Sequence, residues 1–420
     1  LAALALVRPP RALDALDAAA LMAGASGLLA CAGAVDADTA ARGALLTIGG
    51  VAVFIEARAA DGPRGALADG IALVIVAAAV VVLAEALGIA APIGSRGSAP
   101  GGLIGQRNNA AHVCALGAPL LFDRALRSNG ARSRGARRAL GMAGVAILVA
   151  AVLVTRSRSG WLAIGIGTSC AACQALTDRA QRRGLVVALV AVAIGALVLL
   201  VPPGLRWSSA RPYRETARHL IDTASGSGHG RLLQARTTLT LLREAPVLGV
   251  GPGHWAVHYP RIAAPADPTV AWASFQPTGR LLTNDLLALL VERGVVGALP
   301  FLAFAVLLLV RRSRDERWAL PFAATLGVLM VFDCVVQTAV GLAVVSTLAA
   351  LAAPRFAAER PRSARIAVLV AALLLTASLV GAWRAADRLA AQRAMVRAHS
   401  FAALAEVARA HPAALAPRLT

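Results

Sequence analysis

The chain has 420 residues, 58% hydrophobic and only 15% charged, with a mean hydropathy of +0.68. Soluble domains carry roughly a quarter charged residues, and the apolar runs here lack period-two alternation and hairpin turn signals, so a large soluble enzyme built on a buried sheet is excluded. The net charge of +20 comes entirely from Arg, since there is no Lys. In a soluble protein that balance would suggest nucleic acid. Here the arginines cluster in the short segments between apolar runs, where they record orientation in a bilayer, so no nucleic-acid partner is expected. The fold class expected is an all-α polytopic membrane protein.

Runs of about 17 or more apolar residues cross roughly 30 Å of hydrocarbon as helices. Eleven such spans are expected, at approximately 15–35, 43–57, 67–91, 110–122, 139–155, 159–176, 184–202, 286–310, 318–333, 336–353 and 366–383. The second is marginal and the fourth short, so ten is an equally acceptable count. Residues 318–353 read either as one kinked stretch or as a tight pair around Asp333. The N-terminal spans occupy 1–202, a long loop 203–282, the remaining spans 283–383 and a helical tail 384–420. That tail resembles the opening of a tetratricopeptide-type helix pair, though one unit makes no array. The chain opens without Met or a cleavable signal pattern, so its N-terminus is expected to be incomplete.

Orientation follows from Arg. The segment 123–138 holds Arg124, Arg127, Arg132, Arg134, Arg137 and Arg138 against Asp123, and 177–183, 311–317 and 354–365 are likewise Arg-rich. All four fall on one side if the spans alternate, and the positive-inside bias makes that side cytoplasmic. The N-terminus is then cytoplasmic, and 92–109, 156–158, the long loop and the tail lie outside. The loop, about 80 residues long, is too long for a plain connector and carries nine Arg against four acidic residues. Either it binds an anion at the outer face or it is a solvated loop touching lipid headgroups. Within it Arg231 to Ala245 has a helical pattern, with Ala235, Leu239 and Leu242 on one face, ended by Pro246 and the Gly-rich run to Gly253. Such a helix is suited to the headgroup plane.

Several outward segments carry candidate chemistry. Arg156 and Arg158 sit in a very short turn between two spans, where charge needs an aqueous cavity or an anionic partner. Guanidinium stays charged and forks onto phosphate oxygens; the plainer alternative is snorkelling to lipid phosphates. Arg107, Asn108 and Asn109 precede the fourth span: Arg107 adds outward charge, while the asparagines read equally as helix caps. Glu85 reads as a carboxylate snorkelling to the interface. His254 and His258 follow the glycine turn at i and i+4, but Pro252 and the glycines argue for loop structure. Metal ligation is not expected there, and acid–base work is the better use of a side chain that titrates near neutrality. Cys170 and Cys173 form a C-x-x-C inside an apolar helix and read as packing residues.

In order and spacing, these segments resemble the O-antigen ligase and polymerase superfamily of bacterial envelope glycosyltransferases. The resemblance rests on Gly105 to Ala111, Thr155-Arg156-Ser157-Arg158-Ser159-Gly160-Trp161, Pro246 to Trp255 with Tyr259-Pro260, and Thr283-Asn284 followed after nine residues by Gly294-Val295-Val296-Gly297. It covers roughly 100–310 and implies a GT-C-like membrane fold with one large extracytoplasmic loop. It also implies transfer of an undecaprenyl-diphosphate-linked oligosaccharide to a hydroxyl of a glycan, lipid or protein acceptor at the outer face of the bacterial plasma membrane, without metal or other cofactor. Arg156, Arg158, Arg231, Arg280, Arg107, Asn109 and Asn284 are the residues expected to bind diphosphate or sugar. The family's motif opens with His where this chain has Thr283, and a Thr hydroxyl accepts no proton near neutrality. Either His254, His258, Asp285 or Glu292 takes over as base, or the base is dispensable, or the chain is a non-catalytic relative that binds lipid-linked glycan or scaffolds an envelope complex. A transporter of lipid-linked substrates is the remaining reading, although it expects paired repeats and midplane charges.

Overall fold

The computed structural model describes residues 13–60, 64–90, 99–126, 132–177, 181–201, 211–220, 226–265, 267–273, 276–313 and 315–354, with 204, 222–224 and 406. Among them are thirteen α-helices: α1 (Ala15–Ala30), α2 (Ala37–Ala59), α3 (Arg64–Ala86), α4 (Arg107–Leu126), α5 (Arg132–Val154), α6 (Arg158–Thr177), α7 (Arg182–Ala196), α8 (Pro212–Arg218), α9 (Gly226–Glu244), α10 (Trp255–Ile262), α11 (Asp285–Arg311), α12 (Ala319–Phe332) and α13 (Ala339–Ala352). Two-residue strands β1 (Val270–Ala271) and β2 (Gln276–Pro277) pair antiparallel within the loop. Ten of the eleven expected spans coincide with a helix, and 319–352 is the tight pair rather than one kinked stretch. The eleventh span and the helical tail lie outside the described residues.

Among the described residues four helical stretches, Ala15–Gly33, Ala37–Ala59, Arg64–Ala86 and Asp285–Arg311, are long and apolar enough to cross a membrane, and four shorter apolar helices accompany them. The chain is a multi-pass, all-α membrane protein. α4 is the axis of the bundle: α3, α5, α6, α7, α12 and α13 all pack on it. Sixteen of its twenty residues are buried, so it is shielded by protein on every side and tolerates the polar side chains of its first two turns. α1 and α2 pair beside this core, with α11 against α1 and α13 against α2. At one end of that pair Asp14 caps α1 in a reciprocal box with Asp17. The buried Arg58 guanidinium joins both carboxylates, 2.6 Å from Asp17 and 2.5 Å from Asp14.

α11 is two helices rather than one. Gly294 has φ 62° and ψ −177°, a conformation open essentially to glycine alone, and a Cβ there would lie 2.1 Å from the Val247 carbonyl oxygen. A broken helix leaves backbone groups unpaired on both sides of the break. The loop supplies their partners. Pro246 and Val247 carbonyls accept from Val295 and Val296 N–H at 2.8 and 3.2 Å, while Val250 and Gly251 N–H donate to Val291 and Glu292 carbonyls at 2.9 and 3.0 Å. Glu292 adds its carboxylate, accepting from Gly253 and Trp255 N–H. The glycine run after Pro246 is thus the clasp of the break at Gly294.

The loop packs a small core of its own, Leu241, Trp255, Tyr259, Val270 and Leu282, against Ala288 and Val291 in the first half of α11. α9 buries Gln234, Thr238 and Leu241 against this core, where Trp255 donates to Thr238 at 2.8 Å, and leaves Leu239 exposed. Two readings are corrected here. The segment after Gly253 is helical despite Pro260, and His254 stands at its N-terminal boundary. Glu85 does not snorkel: it is wholly buried and accepts from Gly102 N–H at 2.8 Å, pinning the turn that leads into α4.

Candidate functional site

The turn between α5 and α6 is three residues, Thr155 to Ser157. Arg156 is the only non-glycine among the described residues with positive φ, at 57°. It occupies the position after a helix end that glycine usually fills, at a cost of roughly 1–2 kcal/mol for a side-chain-bearing residue. Local bonds hold the geometry: Arg156 N–H donates to the Leu153 carbonyl, Thr155 Oγ1 to Val152, and Ser157 N–H to Thr155 Oγ1. The strain aims two guanidinium groups in different directions. Arg156 reaches α8, donating to Thr216 at 2.9 Å and Glu215 at 3.1 Å. Arg158 donates to the His219 and Asp222 carbonyls at 2.5 and 3.2 Å and to Ser227 at 2.5 Å.

Two further arginines join them. Arg231, in the second turn of α9, is near enough to Arg158 and Arg107 for their charges to repel, and Arg107, at the start of α4, is likewise near Arg156. Four cations from α4, the α5–α6 turn and α9 therefore share one end of the bundle. Carboxylates engage this cluster: Glu215 pairs with Arg156, and the buried Asp333 accepts from Arg231 at 2.8 Å.

Asp333 ends α12 and gathers the polar face of α4 and α6. It accepts from Ser159 at 2.9 Å and Asn108 at 3.4 Å, with His112 Nε2 at 3.4 Å. Ser159 also meets His112 at 3.2 Å and Ser157 at 3.2 Å. Asp285 closes the same corner, accepting from Val335 and Val336 N–H and from Gln337. Position 283 lies beside it: the Thr283 hydroxyl donates to Gln234 at 3.1 Å, one turn along α9 from Arg231.

Of the residues singled out from sequence, Arg107, Arg156, Arg158 and Arg231 come together. Asn108 and Asn109 are not the caps of α4; Gln106 is, its side chain accepting from Asn109 N–H at 2.7 Å. Asn109 lies on that first turn beside Arg107. Asn284 caps α11 by accepting from Leu287 N–H at 2.8 Å. Arg280 is exposed on the approach to Thr283 and shares none of the hydrogen bonds that tie the cluster among the described residues.

His254 is fully buried, with Nε2 accepting from Asp36 N–H at 3.0 Å and Nδ1 against the Pro252 carbonyl at 3.0 Å, so both nitrogens are committed to backbone. His258 lies beside it in the loop core; burial, then Arg261 and His254, pull it below its ordinary value of 6.5. Burial also pushes the neighbouring Tyr259 up to about 12. Neither His shares a bond with the arginine cluster among the described residues. Glu292 is spent on the clasp and Asp285 on the α12–α13 connection.

His112, Ser159 and Asp333 were not singled out from sequence as site residues. The signal was present: a lone acid between two apolar stretches and a His one turn after Asn108 are intramembrane polar groups that need partners. Among the described residues no group of three or more His, Cys, Asp or Glu is placed to hold a metal ion.

The model of the O-antigen ligase family matches residues 143–302, 160 of the 420 residues. That stretch holds the Arg156–Arg158 turn, the whole loop and the break at Gly294, while Arg107 and Asp333 flank it in sequence and meet it in space. No curated protein matches the chain. Residues 143–302 are thus similar to the O-antigen ligase family, a match that supports membership of the O-antigen ligase and polymerase superfamily.

Proposed function

We propose that the protein transfers a glycan from an undecaprenyl-diphosphate donor to an acceptor hydroxyl at the outer face of the plasma membrane. The observation that carries this is the convergence of Arg107, Arg156, Arg158 and Arg231, one of them held in a strained backbone conformation to reach its place. Strain of this kind persists at sites where function needs the geometry. The face bearing the cluster and the loop is, in this reading, extracytoplasmic.

The chemistry follows from charge. As the acceptor oxygen attacks the anomeric carbon, the bond to the diphosphate breaks and negative charge grows on its oxygens. Guanidinium groups already in place stabilise that charge without reorganising. The resting partners of the cluster, Glu215, Asp333 and the carbonyls of His219 and Asp222, are what a diphosphate would displace. Asn109 on the first turn of α4 and Asn284 at the start of α11 suit sugar hydroxyls, and Arg280 suits the donor's approach.

A second reading, a non-catalytic binder of lipid-linked glycan, is favoured by one observation: the hydroxyl at position 283 is bonded to Gln234 and offers no base. Proteoliposomes given undecaprenyl-diphosphate oligosaccharide and an acceptor distinguish the two. Released lipid diphosphate that disappears in Arg158→Ala supports the transferase. A ladder of longer glycans marks a polymerase and a single transfer a ligase. Donor retention with no turnover in the wild-type protein supports the binder and refutes the transferase.

A further inference from the structure

His112 lies on α4 and is 1% exposed. Its Nε2 faces Asp333 Oδ2 at 3.4 Å and Ser159 Oγ at 3.2 Å, while its Nδ1 is buried with no hydrogen-bond partner. An imidazole that donates Nε2–H to a carboxylate presents Nδ1 as a lone pair, so the carboxylate fixes the tautomer and the other nitrogen is the basic one. This is the arrangement by which an acid orients a His base. Buried polar atoms are seldom left unsatisfied in a pure packing role.

We infer that His112, oriented by Asp333, is the base that takes the acceptor's proton in this chain, supplying from α4 what Thr283 lacks. The inference rests on the transferase reading above. In the step, the acceptor oxygen bonds to the anomeric carbon, and the anomeric C–O bond to the diphosphate breaks with its electron pair leaving on the diphosphate. The hydroxyl proton passes to Nδ1 of His112. The resulting imidazolium is paired with Asp333 and returns its proton to water or to the departed diphosphate.

Arg231 couples the two halves of the site. At rest it sits 2.8 Å from Asp333 Oδ2, neutralising the carboxylate that would support an imidazolium. A donor phosphate competes for the same guanidinium. When it draws Arg231 away, the His112–Asp333 pair is uncovered and the full carboxylate charge bears on the ring, so the base is armed by donor binding. The charged groups that face His112 are Asp333 at the end of α12, Arg231 on α9 beyond it, and Asp285 at the start of α11, close enough for its charge to be felt.

The test uses the full chain in proteoliposomes with undecaprenyl-diphosphate oligosaccharide and acceptor, comparing wild type, His112→Gln, and His112→Gln combined with Thr283→His. Losing a general base costs about 10²–10⁴-fold. The expected result is a fall of at least about 10²-fold in kcat for His112→Gln, donor retention unchanged, and loss of the acidic limb of the pH–rate profile. Turnover returns in the double variant, where the family's His is restored. Turnover of His112→Gln near wild type overturns the inference, and so does a fall in rate that keeps the acidic limb, which would mark His112 as a packing residue. If wild type binds donor but turns nothing over at any pH, the transferase reading itself fails, a result separate from either of these.

Discussion

Replacing Arg156 by Gly and, separately, by Ala separates what this residue does for the site from what it costs the fold. At φ 57° a residue with a Cβ pays roughly 1–2 kcal/mol that Gly does not. Gly gives back about 0.5–1 kcal/mol through its looser unfolded chain. Both variants lose the bonds to Thr216 and Glu215; the Glu215 pair is half-exposed and worth at most about 1 kcal/mol. Arg156→Gly should therefore fall within about 1 kcal/mol of wild type, and Arg156→Ala, which keeps the strain, should be less stable than Gly by about 1 kcal/mol. Catalysis should not follow that order. Each loses the same guanidinium, and removing one preplaced donor from a developing oxyanion costs about 10²–10³-fold in rate. Thermal unfolding in detergent, read beside turnover in proteoliposomes, gives both quantities. A Gly variant that retains a substantial share of wild-type turnover, or that unfolds before the Ala variant, would refute the reasoning.

Gly294→Ala should destabilise the protein by at least about 2 kcal/mol, since the backbone conformation alone costs about 1–3 kcal/mol and the new Cβ meets the Val247 carbonyl; limited proteolysis of the loop reports the loosened clasp. Arg58→Met should cost about 3–5 kcal/mol by leaving Asp17 buried beside Asp14 without its cation, seen as a lowered melting temperature. His258 is held below 6.5 mainly by burial, so the unfolded loop binds its proton first. The loop's stability is complete above that value and declines as pH falls through 6.5 toward the lower folded value. Exchange protection of α10 amides at acid pH should drop in wild type and hold in His258→Gln.

The helices were legible because hydrocarbon imposes a length and a composition that short apolar runs display directly. The four arginines were legible for a related reason: permanent charge between apolar spans demands a partner wherever it sits. What stayed hidden depends on contacts between distant segments. Nothing in the pattern of α9 says that Trp255 will bond to Thr238, so the face it buries in the loop is not legible from its apolar stripe. Sequence cannot say that Glu85 meets a backbone N–H seventeen residues on, nor that Gln106 caps before the asparagines do. His112 escaped because one His on a helix gives no spacing to match; its meaning comes from Asp333, more than 200 residues away.

The clasp at Gly294 ties the loop's glycine run and the helix motif into one hydrogen-bonded unit, although some forty residues separate them in the chain. Four backbone bonds cross between them, so neither half is free to drift alone. A chimaera that exchanges the loop with a relative has a natural seam outside this unit, before Pro246 or beyond Gly297. Cut between those points, donor and recipient each contribute half a lock. Transplanted whole, from the α8 region through the end of the break, the loop carries its own anchorage and moves as one cassette.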